Sequence, residues 1–247
     1  MSFSIGIVGL PNVGKSTLFK ALTKKQVDTS NYPFCTIDPN IGVVAVPDKR
    51  MDELAAVLKP SKVLPTTIEF VDIAGLVKNS HKGEGLGNQF LSHIREVAAI
   101  CHVIRAFEDE NVSHVAGKLD PSSDEETINL ELIFADLATV EKKREEIAPK
   151  AKTGIKEAKE LLPVLEKLKK TLEEEKLINS LSLIEEEKLL IKELNLLTAK
   201  PMFTVYNVAE KDLKKDKNKL AISAKLRQNF PSFLMKKPKS TLKKLVF

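Results

Sequence analysis

The chain has 247 residues, of which 43% are hydrophobic and 30% charged, a composition that fits one large globular domain or a domain with an insertion and excludes a disulfide-stapled miniprotein. No apolar run approaches the roughly 20 residues that cross a bilayer, and residues 1–11 lack the basic region of an export signal, so we expect a cytoplasmic protein with no membrane segment. The net charge of +5 is concentrated in residues 211–247, where twelve basic residues against two acidic ones give +10, so the remainder carries −5 and is not a basic surface for sequence-specific DNA.

The first predicted element is a strand that leads into a phosphate-binding loop. Residues 5–8 form an apolar run, and Gly9-Leu-Pro-Asn-Val-Gly14-Lys15-Ser16 then matches G-x-x-x-x-G-K-[ST] at every fixed position. A polyphosphate needs many converging donors, which a glycine-tolerant loop at a helix N-terminus provides through its backbone N–H groups. We expect Lys15 to place its ammonium on the β- and γ-phosphates, as a catalytic residue, and Ser16 to ligate Mg²⁺. The predicted nucleotide contacts in this loop are Gly9, Asn12, Val13, Gly14, Lys15, Ser16 and Thr17.

Two further segments extend the predicted metal and phosphate site. Asp72-Ile-Ala-Gly75 closes the buried run at residues 67–71, where an acidic group holds Mg²⁺ through its water shell and the glycine amide approaches the γ-phosphate. Thr36 lies between the two motifs, in the position of a switch threonine that completes the metal shell in the triphosphate state. For Thr36 the alternative of an ordinary loop threonine stays open.

Apolar runs separated by helix-sized intervals predict the fold class. These runs are residues 3–8, 67–71, 98–107 and 201–206. Because strands that are buried on both faces are typical of parallel sheets, we predict an α/β domain with a mostly parallel sheet and helices on both faces.

The middle of the chain predicts a helical hairpin inserted into this domain. Apolar residues at spacings of three and four follow Thr127, which we expect to cap the first arm, and the spacing resumes after a break at residues 148–154. Pro163 falls inside the second arm and leaves its continuity open. We expect three segments: the first part of the nucleotide domain at 1–126, the coiled-coil hairpin at 127–200 and the rest of the nucleotide domain at 201–247. An inert exposed bundle is the alternative for the hairpin.

The loop after the apolar run at 201–206 indicates which nucleotide base the site selects. GTPases read guanine with N-K-x-D, whereas this chain has Asn207-Val-Ala-Glu210, with Val208 at the lysine position. The extra methylene of Glu210 displaces the carboxylate, so tight guanine selection is not expected. We therefore predict binding of adenine nucleotides, with GTP bound more weakly.

The motifs together resemble a known family. The phosphate loop, residues 31–40, the Asp72 motif and the glycine-rich stretch at 82–91 resemble the Obg-related P-loop proteins, and residues 31–40 resemble the YchF, or Obg-like ATPase, branch. The resemblance covers residues 1–210, including the hairpin. It implies a ribosome-associated nucleotidase with a TRAFAC-type G domain that prefers ATP.

The resemblance also implies roles for two polar residues. Leu76 follows Gly75 where many GTPases carry a water-orienting glutamine, and it has no hydrogen-bonding group. The family points to His114 for this task, since an imidazole can align a water at neutral pH. Asn12 resembles the asparagine by which related hydrolases recruit K⁺. A loop histidine without a catalytic role is the alternative for His114.

The end of the chain departs from the family pattern. Family members continue into a small β-rich TGS domain, and we find no such segment, so a truncated family member that binds nucleotide with little or no turnover is an open alternative. Only twelve residues separate Glu210 from Ser223-Ala-Lys225, which has the letters of the fifth base-contacting loop. Since a crossover needs about a dozen residues before the strand itself, we favour a helix at 213–229, a strand at 233–235 and a degenerate loop at Pro238-Lys-Ser240, with Ser223-Ala-Lys225 then a coincidence on the helix. The alternative, that Ser223-Ala-Lys225 is itself the fifth loop, stays open.

Overall fold

A six-stranded sheet forms the centre of the molecule. The computed structural model describes residues 3–23, 40–73, 86–108, 119–213 and 220–224, except for the side chains of residues 86–89. The strands of this part of the chain are ordered β2-β3-β1-β4-β5-β6. Their bounds are β1 Phe3–Val8, β2 Ile41–Ala45, β3 Thr67–Asp72, β4 Ala99–Ala106, β5 Met202–Val208 and β6 Ala221–Ile222. All neighbouring pairs are parallel except β2 and β3, which confirms the predicted, mostly parallel α/β sheet.

Six α-helices accompany the sheet in the described ranges. They are α1 Lys15–Thr23, α2 Lys49–Leu58, α3 Leu86–Glu96, α4 Pro121–Lys152, α5 Lys156–Glu173 and α6 Glu185–Ile191. Short 3₁₀ turns add Ile178–Ser180, Lys192–Leu194 and Glu210–Asp212. None of these helices combines the length and apolar content that a membrane crossing requires.

The register of the parallel strands brings their carboxyl ends to one edge. Ile7 of β1 lies beside Asp72 of β3 and beside Cys101 of β4, and Arg105 of β4 lies beside Asn207 of β5. In open α/β sheets ligands bind at this edge, where loops leave the strands. The edge therefore gathers the ends of β1, β3, β4 and β5, and with them the motifs of the sequence.

Strand β2 and helix α2 were not among the predicted elements. β2 pairs antiparallel with β3 at the edge of the sheet, and of its five residues only Gly42 and Val43 are buried. Helix α2 begins at the cap Asp48, whose side chain accepts from the backbone N–H of Arg50, and none of its residues is buried. Both elements nevertheless have a sequence signal, an apolar run at residues 41–46 and an amphipathic pattern after the cap Asp48, which the prediction did not use.

The predicted hairpin is present, with different bounds. The cap of α4 is Asp120, whose carboxylate accepts from the N–H groups of Ser122 and Ser123, so the prediction that Thr127 caps this helix is wrong. Thr127 instead lies inside the helix and donates its hydroxyl to the Ser123 carbonyl. Pro121 at the first turn costs no hydrogen bond, since the N–H at that position has no helical partner.

The predicted break between the arms is also shorter than expected. Helix α4 continues through Pro149 to Lys152, and α5 starts at Lys156 after a tight turn, so most of residues 148–154 are helical. Helix α5 likewise passes through Pro163 as one element. Both prolines are exposed, so water can reach the backbone carbonyls that they leave without a helical donor.

Helix α4 belongs to two apolar cores. Its first half contributes Ile128 and Leu132 to the core under the sheet, and its second half contributes Val140 and Ile147 to the core it shares with α5 and α6. The predicted domain boundary at residue 127 thus falls inside one continuous helix. The three-segment division stays a prediction.

The end of the described chain corrects one prediction. Residues 221–222 form β6, which pairs in parallel with β5 at Tyr206 and Asn207, so the predicted helix at 213–229 is wrong over this stretch. The connection from Val208 to Ala221 has twelve residues, about the dozen that a parallel crossover needs, and it fits because β6 itself has only 2 residues. Residues 233–235 and Pro238-Lys-Ser240 lie outside the described residues.

Candidate nucleotide-binding site

The predicted phosphate loop lies between β1 and α1. Strand β1 ends at Val8 and α1 begins at Lys15, so the glycine-containing segment connects a buried strand to a helix N-terminus. A helix N-terminus presents unpaired N–H groups and a partial positive charge, both of which favour an anion. The strand, loop and helix that the motif requires are therefore in place.

Two glycines of the loop sit where a side chain has no room. A Cβ on Gly9 would collide with the backbone carbonyl oxygen of Val103 in β4, and a Cβ on Gly14 would collide with the side-chain amide nitrogen of Asn207. Gly14 also has φ +95°, which residues with a Cβ rarely adopt. The loop is thus packed directly on β4 and on the end of β5.

Lys15 is buried at the base of the loop. Its side chain is only 8% exposed, and Nζ donates to the carbonyl oxygens of Gly9 at 3.0 Å and Leu10 at 2.8 Å. Burial lowers the pKa of Lys15 to about 8, against the opposing effect of the Asp72 carboxylate. The ammonium is therefore held inside the loop and is easier to deprotonate than a surface lysine.

Oxygen donors for a divalent ion come from two elements. Ser16 is exposed in the first turn of α1, and Asp72 is the last residue of β3, half-buried and adjacent to β1. A hydroxyl and a carboxylate are donors of the kind that Mg²⁺ prefers, so the residues present fit that ion. The third predicted ligand, Thr36, lies outside the described residues.

Asn207 connects the base loop to the phosphate loop. Its side chain is buried, Nδ2 donates to the carbonyl oxygen of Val13 at 3.0 Å, and Oδ1 accepts from the backbone N–H of Ala224 at 3.1 Å. One side chain thus holds three segments together. The third segment is Ser223-Ala224, directly after β6, so Ser223 does not lie inside the predicted helix at 213–229 and Ala224 contacts the base loop.

The other base-loop residues lie at the same edge with less burial. Val208 is the last residue of β5 and is half-buried, while Glu210 is exposed at the start of a 3₁₀ turn. Asn12 is exposed, with φ +62°, and Thr17 is half-buried in α1. Gly75 and His114 lie outside the described residues, so their roles stay predictions.

Sequence reasoning missed a pair of residues at the end of β4. Arg105 is 4% exposed, its Nε donates to the carbonyl oxygen of Phe107 at 3.0 Å, and its guanidinium carbon lies 4.7 Å from the centre of the Phe107 ring. The only sequence signal is a charged residue inside an apolar strand.

The chain is similar in sequence and in fold to known proteins. A family profile described as 50S ribosome-binding GTPase matches residues 4–130. The chain is 55% identical over 213 residues to the ribosome-binding ATPase YchF of Bacillus subtilis (strain 168), covering 86% of this chain and 58% of that protein. It is 56% identical over 210 residues to the ribosome-binding ATPase YchF of Escherichia coli O157:H7, covering 85% of this chain and 58% of that protein.

A solved structure matches nearly the whole chain. The YchF GTPase of Schizosaccharomyces pombe superposes with a TM-score of 0.78 at 36% identity, covering 99% of this chain and 71% of that one. The chain spans 58% of the length of the curated bacterial relatives it matches.

Proposed function

We propose that this chain, which belongs to the YchF family of P-loop proteins, binds ATP with Mg²⁺ and hydrolyses it, and that it acts on the ribosome. The observation that carries the proposal is the joint placement of Lys15, Val13 and Asn207. The buried Lys15 ammonium donates to two carbonyl oxygens of the phosphate loop, and the Asn207 amide bonds the same loop to the base segment.

Binding of the phosphates rests on the loop itself. The backbone N–H groups at the start of α1 supply the donors, and Lys15 supplies a point charge for the β- and γ-phosphates. Because Lys15 is held by two carbonyl oxygens, its charge is positioned before the ligand arrives. Such preorganisation lowers the cost of binding.

Mg²⁺ would be held by Ser16 and Asp72, with Thr36 as the third protein ligand. The ion would neutralise charge that develops on the phosphate oxygens. The Asp72 carboxylate also opposes the fall in the pKa of Lys15, so the two charges interact. We therefore expect the triphosphate, Mg²⁺, Lys15 and Asp72 to affect one another's binding or protonation.

Preference for ATP over GTP rests on Asn207, Val208 and Glu210. The exposed Glu210 is longer than the aspartate that reads guanine, and Val208 offers an aliphatic side chain in place of the lysine. The site therefore lacks the rigid acceptor that selects guanine, and GTP is expected to bind more weakly.

Hydrolysis needs a group to align water. In this step a water oxygen bonds to the γ-phosphorus, the bond to the β–γ bridging oxygen breaks, and a proton passes to the phosphate or to solvent. We assign the alignment to His114, since Leu76 has no hydrogen-bonding group. We assign a K⁺ ion, where one is used, to Asn12 of the phosphate loop.

The ribosome is proposed as partner from the family alone. The B. subtilis and E. coli relatives carry the name ribosome-binding ATPase. Since this chain spans 58% of their length, both the activity and the partner are proposals for it.

Binding and turnover are to be measured side by side. Fluorescent ATP titration and phosphate release, each with Mg²⁺, should show binding and hydrolysis above a Lys15→Ala control. Competition should favour ATP over GTP, and turnover in KCl should exceed that in NaCl. Binding without hydrolysis would leave a nucleotide-binding module, and a hundredfold preference for GTP would overturn the base assignment.

A further inference from the structure

Two carboxylates of helix α4 bond to the segment that contains β5. Near the start of the helix, Glu125 accepts hydrogen bonds from the Thr204 hydroxyl at 2.9 Å and from the Tyr206 hydroxyl at 3.0 Å. About three turns further along α4, Asp136 accepts from the Thr198 hydroxyl at 2.7 Å, before β5 begins. Helix and strand therefore run in opposite directions, and Glu125 contacts the part of β5 that leads into the base loop.

The Glu125 contacts lie next to the anchor of the phosphate loop. Tyr206 is followed directly by Asn207, whose Nδ2 donates to the Val13 carbonyl oxygen at 3.0 Å. Successive side chains of a strand point to opposite faces of the sheet. Glu125 thus holds one face of β5 at the point where Asn207 reaches the phosphate loop from the other face. Each step of this connection, from α4 to the phosphate loop, is a direct contact.

The strands beside β5 support its carboxyl end unequally. Strand β4 pairs with β5 from Met202 to Val208, whereas β6 pairs with it over the two residues Tyr206 and Asn207. A pairing this short supplies few hydrogen bonds against the entropy lost when the chain is ordered. Two hydrogen bonds to a carboxylate add to this support, and such charge-assisted bonds are stronger than bonds between neutral groups.

We propose that Glu125 is a positioning residue for nucleotide binding, which fixes the carboxyl end of β5 and thereby the Asn207 amide against the phosphate loop. The inference rests on the proposed function, in which this loop binds ATP. Without the Glu125 contacts, the bond from Asn207 to Val13 is expected to be broken part of the time. The apparent affinity then falls with the fraction of molecules in which the loop is held for binding.

Tyr206→Phe is the most conservative test of this role, because it retains the ring and removes only the hydroxyl that donates to Glu125. We expect ATP affinity, measured by titration of fluorescent ATP with Mg²⁺, to fall by about three- to tenfold. In the Asn207→Asp background the same change should have little further effect, because the contact that it positions is already lost.

Two variants of Glu125 test whether its hydrogen bonds are responsible. Glu125→Ala loses both bonds and should lower ATP affinity at least as much as Tyr206→Phe. We expect Glu125→Gln to bind ATP within about twofold of wild type, because its oxygen can accept from one hydroxyl and its amide can donate to the other.

A second threonine–carboxylate pair of α4 supplies the matched control. Thr204→Val and Thr198→Val each remove one hydroxyl that donates to a carboxylate of this helix. Both variants should unfold at a lower temperature than wild type, but only Thr204→Val should lower ATP affinity. Contacts that merely stabilise the fold would leave the affinity of both folded variants unchanged.

The outcomes separate the inference from the proposed function. If the wild-type chain does not bind ATP with Mg²⁺, the proposed function fails and the inference falls with it. If wild type binds ATP and the folded Tyr206→Phe and Glu125→Ala variants bind it equally tightly, only the inference is overturned. Should Glu125→Ala not fold, Tyr206→Phe alone decides. An equal loss of affinity in Thr198→Val and Thr204→Val, or in Tyr206→Phe with and without Asn207→Asp, would also overturn it.

Discussion

The side-chain amide of Asn207 donates to the carbonyl oxygen of Val13 at 3.0 Å, although the two residues are 194 positions apart in the chain. The same side chain accepts from the N–H of Ala224. The phosphate loop, the base loop and the segment after β6 therefore share one buried anchor. Their geometry changes together, and a defect at Asn207 should affect phosphate binding as well as base binding.

Asn207→Asp tests this anchor. The carboxylate retains an acceptor for Ala224 but loses the donor to Val13 and places a negative charge against its carbonyl oxygen. We expect ATP affinity to fall by about tenfold to a hundredfold, since a lost buried hydrogen bond with an unpaired partner costs about 1–3 kcal/mol. Titration of fluorescent ATP measures it.

Asn179→Asp is the matched control for that change. Its Nδ2 also donates to a backbone carbonyl, that of Lys200 at 3.2 Å, but the side chain is exposed and its partner precedes the amino end of β5, whereas the phosphate loop lies at the carboxyl ends of the strands. ATP affinity should not change. A similar loss in both variants would mean that the charge, and not the Val13 contact, is responsible.

Gly14→Ala tests the close approach of the phosphate loop to β5. The added methyl would collide with the Asn207 amide, at a residue whose φ is +95°. Gly154 in the hairpin turn has φ +96° with open space around it, so Gly154→Ala carries the backbone strain alone. We expect Gly154→Ala to cost about 1 kcal/mol of stability and no affinity, and Gly14→Ala to abolish measurable ATP binding. Unchanged ATP binding by Gly14→Ala would contradict the described packing.

The buried Lys15 predicts how ATP binding depends on pH. Its pKa of about 8 in the free protein means that the ammonium loses its proton above pH 8, and a neutral amine attracts phosphate less. ATP affinity should therefore fall by up to about tenfold for each pH unit above 8. An ATP affinity that stays unchanged from pH 7 to pH 10 would show that the pKa of Lys15 is not lowered.

The same group makes a prediction for the stability of the free protein. The folded pKa of Lys15 lies below its ordinary value of 10.5, so between pH 8 and 10.5 the unfolded chain binds more protons than the folded one. Lys15 should therefore make the free energy of unfolding rise over that window. Lys200, whose pKa burial also lowers, adds a change of the same sign. The difference between wild type and Lys15→Met isolates the contribution of Lys15.

Asp136 predicts a stability effect at the base of the hairpin. This fully buried carboxylate on α4 accepts from the N–H of Leu197 and from both the N–H and hydroxyl of Thr198. Asp136→Ala would leave buried donors unpaired, and we expect it to cost about 3 kcal/mol or more. Denaturant unfolding measures it. Asp120→Ala, which removes only the exposed cap of α4, should cost about 1 kcal/mol.

Local patterns predicted the phosphate loop, because a strand, a glycine loop and a helix follow one another within residues 3–23. They predicted the sheet because apolar runs recur at helix-sized intervals along the chain. Contacts between distant segments could not be predicted from these local patterns. The sequence around Asn207 does not indicate that its side chain forms hydrogen bonds with Val13 and Ala224. The error at residues 213–229 has a related cause, since the length of β6 depends on its pairing with β5 and not on its own sequence. Apolar spacing marks the buried face of a helix and not its first turn, so it does not identify Asp120 as the cap of α4.

The most direct test of the proposed function measures the release of labelled phosphate from γ-labelled ATP by the purified chain. The assay is run in single-turnover conditions with Mg²⁺, beside Lys15→Ala. The account predicts that the wild-type chain releases phosphate well above the variant and that excess unlabelled ATP suppresses this signal more strongly than GTP. Equal release by the two proteins, with both shown to be folded, would contradict it.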